Sequence, residues 1–186
     1  MQKTMKEIDF LSFPNLITER LTLRYLKESD APAIFSLRSD DTVNKYLDRP
    51  KIKSIDEAKD FIININEGIR LKKWIYWGIC LKDVSELIGT ICLWNFSDDT
   101  RTAETGYELL PSFQGKGLMD EALKCIINLG FQKIRLKVIE AYTHKENIGS
   151  IHLLERNNFK LAPFRYDDKN PNNSIYTLAS FIIRES

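Results

Sequence analysis

Little in this 186-residue chain points to metal, disulfide or membrane chemistry. Its three cysteines, Cys80, Cys92 and Cys125, are widely spaced, odd in number and in no CxxC pair. That argues against a disulfide framework or a zinc knuckle and leaves buried free thiols as the expectation. Histidine is scarcer still: His144 and His152 have no cysteine or carboxylate at ligand spacing, so no metal site is expected. Charge of one sign is lacking too, since 27 Lys+Arg against 26 Asp+Glu leaves a net +1. Nothing global draws the chain to nucleic acid or to an anionic membrane surface. No apolar run nears the roughly 20 residues that cross a bilayer; the most apolar stretch, Trp74–Leu81, is closed by Lys82 and reads as a buried strand. Met1–Asp9 mixes both charge signs without the apolar centre of a secretory signal, so a cytoplasmic location is expected. No G-x-S-x-G is present, which removes a serine-hydrolase elbow, and no internal repeat or low-complexity segment occurs.

The composition that is there, 43% hydrophobic and 28% charged with 11% aromatic residues, fits one soluble globular domain over residues 1–186. Leu21–Leu26 alternates as a half-buried strand. Asp30 is placed to cap a helix with Pro32 in its first turn, and Ala33, Ile34 and Leu37 form its buried face. Ser54-Ile-Asp-Glu57 is a capping box. The stripe Ile55, Ala58, Phe61, Ile62 and Ile65 follows it, with Gly68 available as a left-handed stop. Between residues 74 and 110 three strand-like runs are separated by Lys82–Ser85 and Ser97–Thr100, an antiparallel meander. Gln114-Gly-Lys-Gly117 then precedes a helix lined by Leu118, Ala122, Leu123, Ile126 and Ile127. A strand over Leu136–Tyr142, a helix from about Asn147 to Arg156 and a hairpin around Asp167–Asn173 leading to Ile175–Leu178 complete the chain. The order β-α-α-β-β-β-α-β-α-β-β predicts a mixed α/β sheet, because the helix after the meander suits a parallel pairing. A doubly wound Rossmann fold is excluded by the meander.

The loop Gln114–Gly117 is open to two readings, a plain turn that starts a helix or an anion site. Gly115 and Gly117 let the main chain approach a ligand, and the helix start adds unpaired N–H groups and a positive dipole end. Lys116 offers a point charge. The loop is neither a Walker A element nor a Rossmann fingerprint, since Leu118 follows Gly117 and Asp120 stands at the third glycine of the latter.

Neighbouring stretches favour the anion site. Gln114–Met119 resembles motif A of the GCN5-related N-acetyltransferases (GNAT), [QR]-x-x-G-x-[GA], with Met119 where the family usually has Gly or Ala; a long side chain there has to turn away from a ligand. Thr18-Glu-Arg-Leu-Thr-Leu-Arg24, Ser39–Leu47 and Ala103-Glu-Thr-Gly-Tyr107 resemble, in order, the opening strand, the loop after the first helix and the fourth strand of the ribosomal-protein alanine N-acetyltransferase branch. Asn147–Phe159 resembles motif B, with Asn158 in its glycine position, a residue that tolerates the left-handed region. The resemblance runs from about Leu16 to the C-terminus.

This resemblance implies a mostly antiparallel mixed sheet, flanked by about four helices, whose strands four and five splay apart to admit acetyl-coenzyme A. Leu109 and Leu110 would offer backbone groups to the pantetheine arm, one N–H polarising the thioester carbonyl. Gln114, Gly115, Lys116, Gly117, Leu118 and Met119 would cradle the pyrophosphate. Asn147 would bond the pantetheine region, and Ser150 would lie near the departing sulfur. Glu104 is the candidate base that takes the proton of an attacking primary amine. Tyr107 and Ser150 compete as the acid for the thiolate, and Trp94 and Asn95 would shape the acceptor pocket. The implied activity is acetyl transfer from acetyl-CoA to a primary amine without a metal. The acceptor is either a peptide N-terminal α-amine or a small amine such as an amino acid, polyamine or amino-sugar. A non-catalytic acyl-CoA-binding module is the reading from another class. Neither nucleic acid nor membrane is an expected partner, and monomer and homodimer stay equally open.

Overall fold

A computed structural model describes residues 15–180; the Met1–Asp9 stretch discussed above lies outside them. Eight strands form one sheet in the order β1-β2-β3-β4-β5-β6-β8-β7. They are β1 (Leu16–Ile17), β2 (Leu21–Arg24), β3 (Ile75–Leu81), β4 (Leu87–Trp94), β5 (Thr102–Leu109), β6 (Val138–His144), β7 (Lys160–Leu161) and β8 (Asn173–Ala179). The helices are α1 (Ala31–Ser39), the single turn α2 (Asp41–Asn44), α3 (Ile55–Arg70), α4 (Leu118–Leu129) and α5 (Ile148–Arg156). The mixed, mostly antiparallel sheet agrees with the sequence, and α2 brings the helices to five among the described residues.

Among the described residues one pair of neighbouring strands runs parallel, β5 with β6, and it is short: Thr102, Ala103 and Glu104 face Val138, Ile139 and Glu140. Beyond Glu104 the two strands part. β5 continues along β4 to the Gly89↔Leu109 pair, while β6 continues along β8 to His144↔Asn173. Counted without the two-residue β1, these are the fourth and fifth strands, and the gap between them is the expected splay.

Alternation along the strands divides two cores. Trp77, Ile79, Ile91, Leu93, Ala103 and Leu109 pack with Leu118, Ala122, Leu123 and Ile126 of α4 and with Leu154 of α5. On the opposite face Tyr76, Cys80 and Leu87 pack with Ile34 of α1 and Ala58, Ile62, Ile65 and Ile69 of α3. The splay therefore opens between a face covered by α4 and α5 and a face covered by α1 and α3.

Three local expectations are corrected. Asp30 does not cap α1 with its side chain. It is buried and takes both ends of the Arg24 guanidinium, at 2.8 Å each, together with the Lys27 N–H at 2.7 Å. A buried cation left alone would be costly, so the ion pair outcompetes the cap. Ser54 does accept the Glu57 N–H, but Glu57 reaches back to the N–H of Lys53 instead of Ser54. Gly68 is not a helix stop, because α3 runs on to Arg70 and the left-handed residue is Lys72. What Gly68 supplies is space: a Cβ there would lie 1.9 Å from Cζ2 of Trp74, whose Nε1 donates to the Ile65 carbonyl at 2.9 Å. Gly68→Ala must displace the ring and break that bond, so urea unfolding should show a loss of about 2–3 kcal/mol, where an exposed helical Gly→Ala would gain stability.

Candidate active site

Two cavities flank the splay and share Tyr46, Leu47, Tyr107, Asn147 and Ser150. The first, of about 640 Å³, lies toward α4 and α5 and is lined by Leu109, Gln114, Gly115, Gly117, Leu118 and Met119 among others. The second, of about 560 Å³, holds Trp94, Asn95 and Glu104 with Asp48, Tyr142 and the 166–170 loop.

The glycine loop gives the first cavity a bare main-chain wall. Gly115 and Gly117 both have positive φ, 72° and 75°, which only glycine adopts at no steric cost. A Cβ on Gly115 would meet nothing within 4 Å, so the main chain is bare toward the opening. Gly117 is the N-cap of α4, and no side chain caps that helix start. Its first N–H groups and the positive dipole end thus face the cavity without a protein acceptor. Met119 turns its side chain into the core, where it is 9% exposed, as a long residue at that position must.

Other expected contacts are rearranged. Gln114 uses its side-chain Nε2 to donate to the Leu109 carbonyl at 2.8 Å and its own N–H to bond Pro111, so it braces the loop. Lys116 does not line the cavity; its ammonium rests 5.6 Å from the centroid of Phe113. The N–H of Leu110 is committed to the Ile88 carbonyl at 2.9 Å. Because partners in an antiparallel ladder alternate, the backbone groups of Tyr107 and Leu109 point away from β4, toward the splay. Of the two leucines, Leu109 is the one with an N–H facing the opening. Asn147 caps α5, its Oδ1 accepting the Ser150 N–H at 3.2 Å.

Where the cavities meet, Tyr107 Oη lies 2.9 Å from Ser150 Oγ. Burial pushes the Tyr107 hydroxyl up to about 12, against the pull of the Ser150 bond, so Tyr107 stays protonated at neutral pH, and either hydroxyl of the pair can be the donor. Glu104 stands at the last paired position of β5, in line with Glu140 on β6. Burial raises its carboxyl from 4.5 to about 7, and the carboxylates of Asp167 and Glu140 add to the rise. The long 3.5 Å contact from Asn95 Nδ2 and the charge of Lys169 oppose it only in part. Glu140 is itself held by both ends of Arg165, which leaves Glu104 the less compensated carboxylate of the pair. A carboxyl that titrates near neutrality is suited to take a proton and pass it on. Trp94 sits opposite Glu104 on β4 and is 38% exposed, unlike the fully buried Trp77. Among the described residues no His, Cys, Asp and Glu cluster that could hold a metal occurs, and no helix is long and apolar enough to cross a membrane.

Tyr46 and Leu47 were not singled out from the sequence, although they fall in the Ser39–Leu47 stretch. They roof both cavities, and Tyr46 stacks on His144 at 5.4 Å across the mouth of the splay. Asp167, Asp168 and Lys169 also line the second cavity where a plain hairpin turn was expected.

A sheet parted after one short parallel pairing, with a glycine loop at an uncapped helix start on one side and a near-neutral carboxyl on the other, is an arrangement that can hold two substrates against each other. Comparison with known proteins makes the class specific. Residues 20–160 match the model of the acetyltransferase (GNAT) domain, and the chain belongs to that family of N-acetyltransferases. It is 33% identical over 171 residues to the uncharacterised N-acetyltransferase YoaA of Bacillus subtilis (strain 168), covering 89% of this chain and 97% of YoaA. The fold is shared with RimL, a ribosomal L7/L12 α-N-protein acetyltransferase solved with coenzyme A (TM-score 0.76, 20% identity, 88% of this chain and 96% of that one). It is shared too with the microcin C7 self-immunity acetyltransferase MccE, solved with acetyl-CoA and AMP (TM-score 0.77, 22% identity, 90% and 98%).

Proposed function

We propose that this acetyltransferase moves the acetyl group of acetyl-CoA to a peptide N-terminal α-amine that enters the Glu104 cavity. The observation that carries the reading is the meeting of the two cavities around Tyr107 and Ser150: a donor held by the glycine loop and an acceptor beside Glu104 come together there. The cofactor neighbours RimL and MccE are solved with CoA and acetyl-CoA, and the bare cradle at Gly115 and Gly117 suits the same pyrophosphate.

Each residue then has a task. Gly117, Leu118 and Met119 present backbone N–H groups to the pyrophosphate. The Leu109 N–H is the donor available to a thioester carbonyl, a role in which preorganised backbone groups are worth most. Glu104 accepts the ammonium proton directly or through a water, so that the amine arrives as a nucleophile. Tyr107, hydrogen-bonded to Ser150, donates to the departing sulfur; a thiolate whose parent acid has a pKa near 8.5 needs no more than that.

Basicity favours an α-amine. Moving a proton from an α-amine of pKa near 8 to a base near 7 is uphill by about 1.4 kcal/mol, whereas a lysine ε-amine near 10.4 requires about 4.6 kcal/mol. RimL, by its name, acts on the α-amine of a ribosomal protein. A second reading, a small amine with another positive charge, is favoured by the lining itself, where Asp48, Glu104, Asp167 and Asp168 face Lys169 alone among lysines and arginines. Thiol release from acetyl-CoA decides. Short peptides with a free N-terminus should turn over at least about tenfold faster than N-blocked, lysine-bearing copies. Faster turnover of the blocked copies would overturn the α-amine reading, and faster turnover of spermidine would replace it with the second.

A further inference from the structure

The glycine loop has to hold its N–H groups toward the cavity before any ligand arrives, and the Gln114 bonds that brace its start do not reach the Lys116 and Gly117 carbonyls. Each peptide unit is planar with its N–H and C=O pointing in opposite directions, so the N–H of Gly117 is aimed by the carbonyl of Lys116, and that of Leu118 by the carbonyl of Gly117. One side chain binds both carbonyls from behind, and the Gly117 oxygen also accepts the Glu121 N–H of α4 at 3.2 Å. Arg20, which precedes β2, donates from Nη1 to the Lys116 oxygen at 3.0 Å and from Nη2 to the Gly117 oxygen at 3.2 Å. Its Nε donates to Glu121 Oε2 at 2.7 Å, and its backbone N–H to Glu121 Oε1 at 2.8 Å. Thr18 Oγ1 donates to the same Oε1. Glu121 lies in the first turn of α4, one turn beyond the loop. Against its burial, the Thr18 and Arg20 donors hold its carboxyl below the usual range, so it remains an anion for Arg20. Arg20 does not line the cavity.

We propose that Arg20, locked by Glu121, is a positioning residue that turns the Gly117 N–H into the cavity, beside the Leu118 N–H that α4 helps to aim, and thereby sets affinity for the pyrophosphate of the acyl donor. This rests on the reading of the loop as the pyrophosphate site. Without the guanidinium the Gly117 carbonyl keeps only the Glu121 N–H, while the Lys116 carbonyl loses the donor that holds it, so the Lys116–Gly117 peptide is free to rotate, and a carbonyl oxygen turned inward repels phosphate. The positive charge of Arg20 is largely offset by Glu121, so its contribution is geometric.

The test compares two donors. S-acetylpantetheine carries the thioester and the pantetheine arm but lacks the pyrophosphate and nucleotide. For the full chain, the ratio of kcat/KM for acetyl-CoA to that for S-acetylpantetheine should fall about tenfold in Arg20→Ala, the scale of one pyrophosphate hydrogen bond lost when the Gly117 N–H is no longer aimed. Arg20→Lys, which keeps the charge but cannot bridge two carbonyls and Glu121 at once, should fall nearly as far and covers the case in which the alanine variant does not fold. An unchanged ratio in either folded variant, or an equal loss with both donors, overturns the proposal. A wild-type protein that uses both donors equally well overturns the pyrophosphate site itself, a result separable from failure of the clamp.

Discussion

Glu104→Gln should lower kcat by about 10² to 10⁴, the range that a positioned general base contributes, while leaving the affinity for CoA measured by calorimetry close to that of the wild type. The separation follows from the layout: Glu104 lines the second cavity and not the first. The wild-type pH profile supplies an independent check. A base acts when deprotonated, and burial has raised this one to about 7, so kcat/KM should climb through pH 7. The variant should lose that limb and keep only the one belonging to the amine. Stability should move the other way. The native state binds a proton at Glu104 that the unfolded chain releases near 4.5, so the wild type loses stability as pH rises from 4.5 to about 7. Glutamine carries no such burden, and the variant should gain on the wild type across that window and hold the gain above it. A variant that is less active and also less stable at pH 8 would mean that Glu104 is a structural carboxylate, and the assignment would fall.

The periodic features of the chain were legible because they are local. The meander, the crossover helix and the left-handed Asn158 (φ 65°) follow from turn formers, apolar spacing and side-chain size. The motif order placed Glu104, Tyr107 and Ser150 in one region, and the structure brings Tyr107 and Ser150 to 2.9 Å. What could not be read depends on partners far apart in the chain. Arg20 and Glu121 are 101 residues apart, and no pattern in either segment announces the other. Asp30 has the profile of a cap until Arg24 is seen against it. Gly68 has the profile of a stop until Trp74 fills the space above it. Leu109 and Leu110 are indistinguishable in sequence, and only the β4–β5 register decides which N–H faces the splay. The raised carboxyl at Glu104 likewise comes first from burial by the folded chain, with Asp167 and Glu140 adding to it, a tertiary fact.

The other large effect is expected one turn of the pleat beyond Tyr107. The Glu108 carboxylate is 6% exposed and is the shared anion of two cations: Oε1 accepts from Arg38 at 3.1 Å and from Thr90 Oγ1 at 3.2 Å, and Oε2 from Arg49. Tyr76 donates to Thr90 at 2.9 Å, while Arg38 lies 4.1 Å over the ring of Phe61. Arg49 Nε donates to Asn44 of α2, which in turn bonds the Arg38 and Asp40 carbonyls. Through Arg49 this network ties the segment carrying Tyr46 and Leu47 to the strand that bears the site. Glu108→Ala leaves two partly buried guanidiniums facing each other with no anion, and the cost of stranding a charge in this way is about 3–5 kcal/mol. For a chain of this size that lowers Tm by about 10 °C, which a thermal melt will show. Removing all the charges at once, as Glu108→Leu with Arg38→Met and Arg49→Leu, should return most of the stability, because apolar replacement of a buried ion group is often neutral. Activity should not return with it, since the triple variant frees Tyr46 and Leu47 from Arg49 and leaves the roof over both cavities unanchored. Recovery of stability and turnover together would show that the roof holds its place without the network, and that Glu108 serves folding alone.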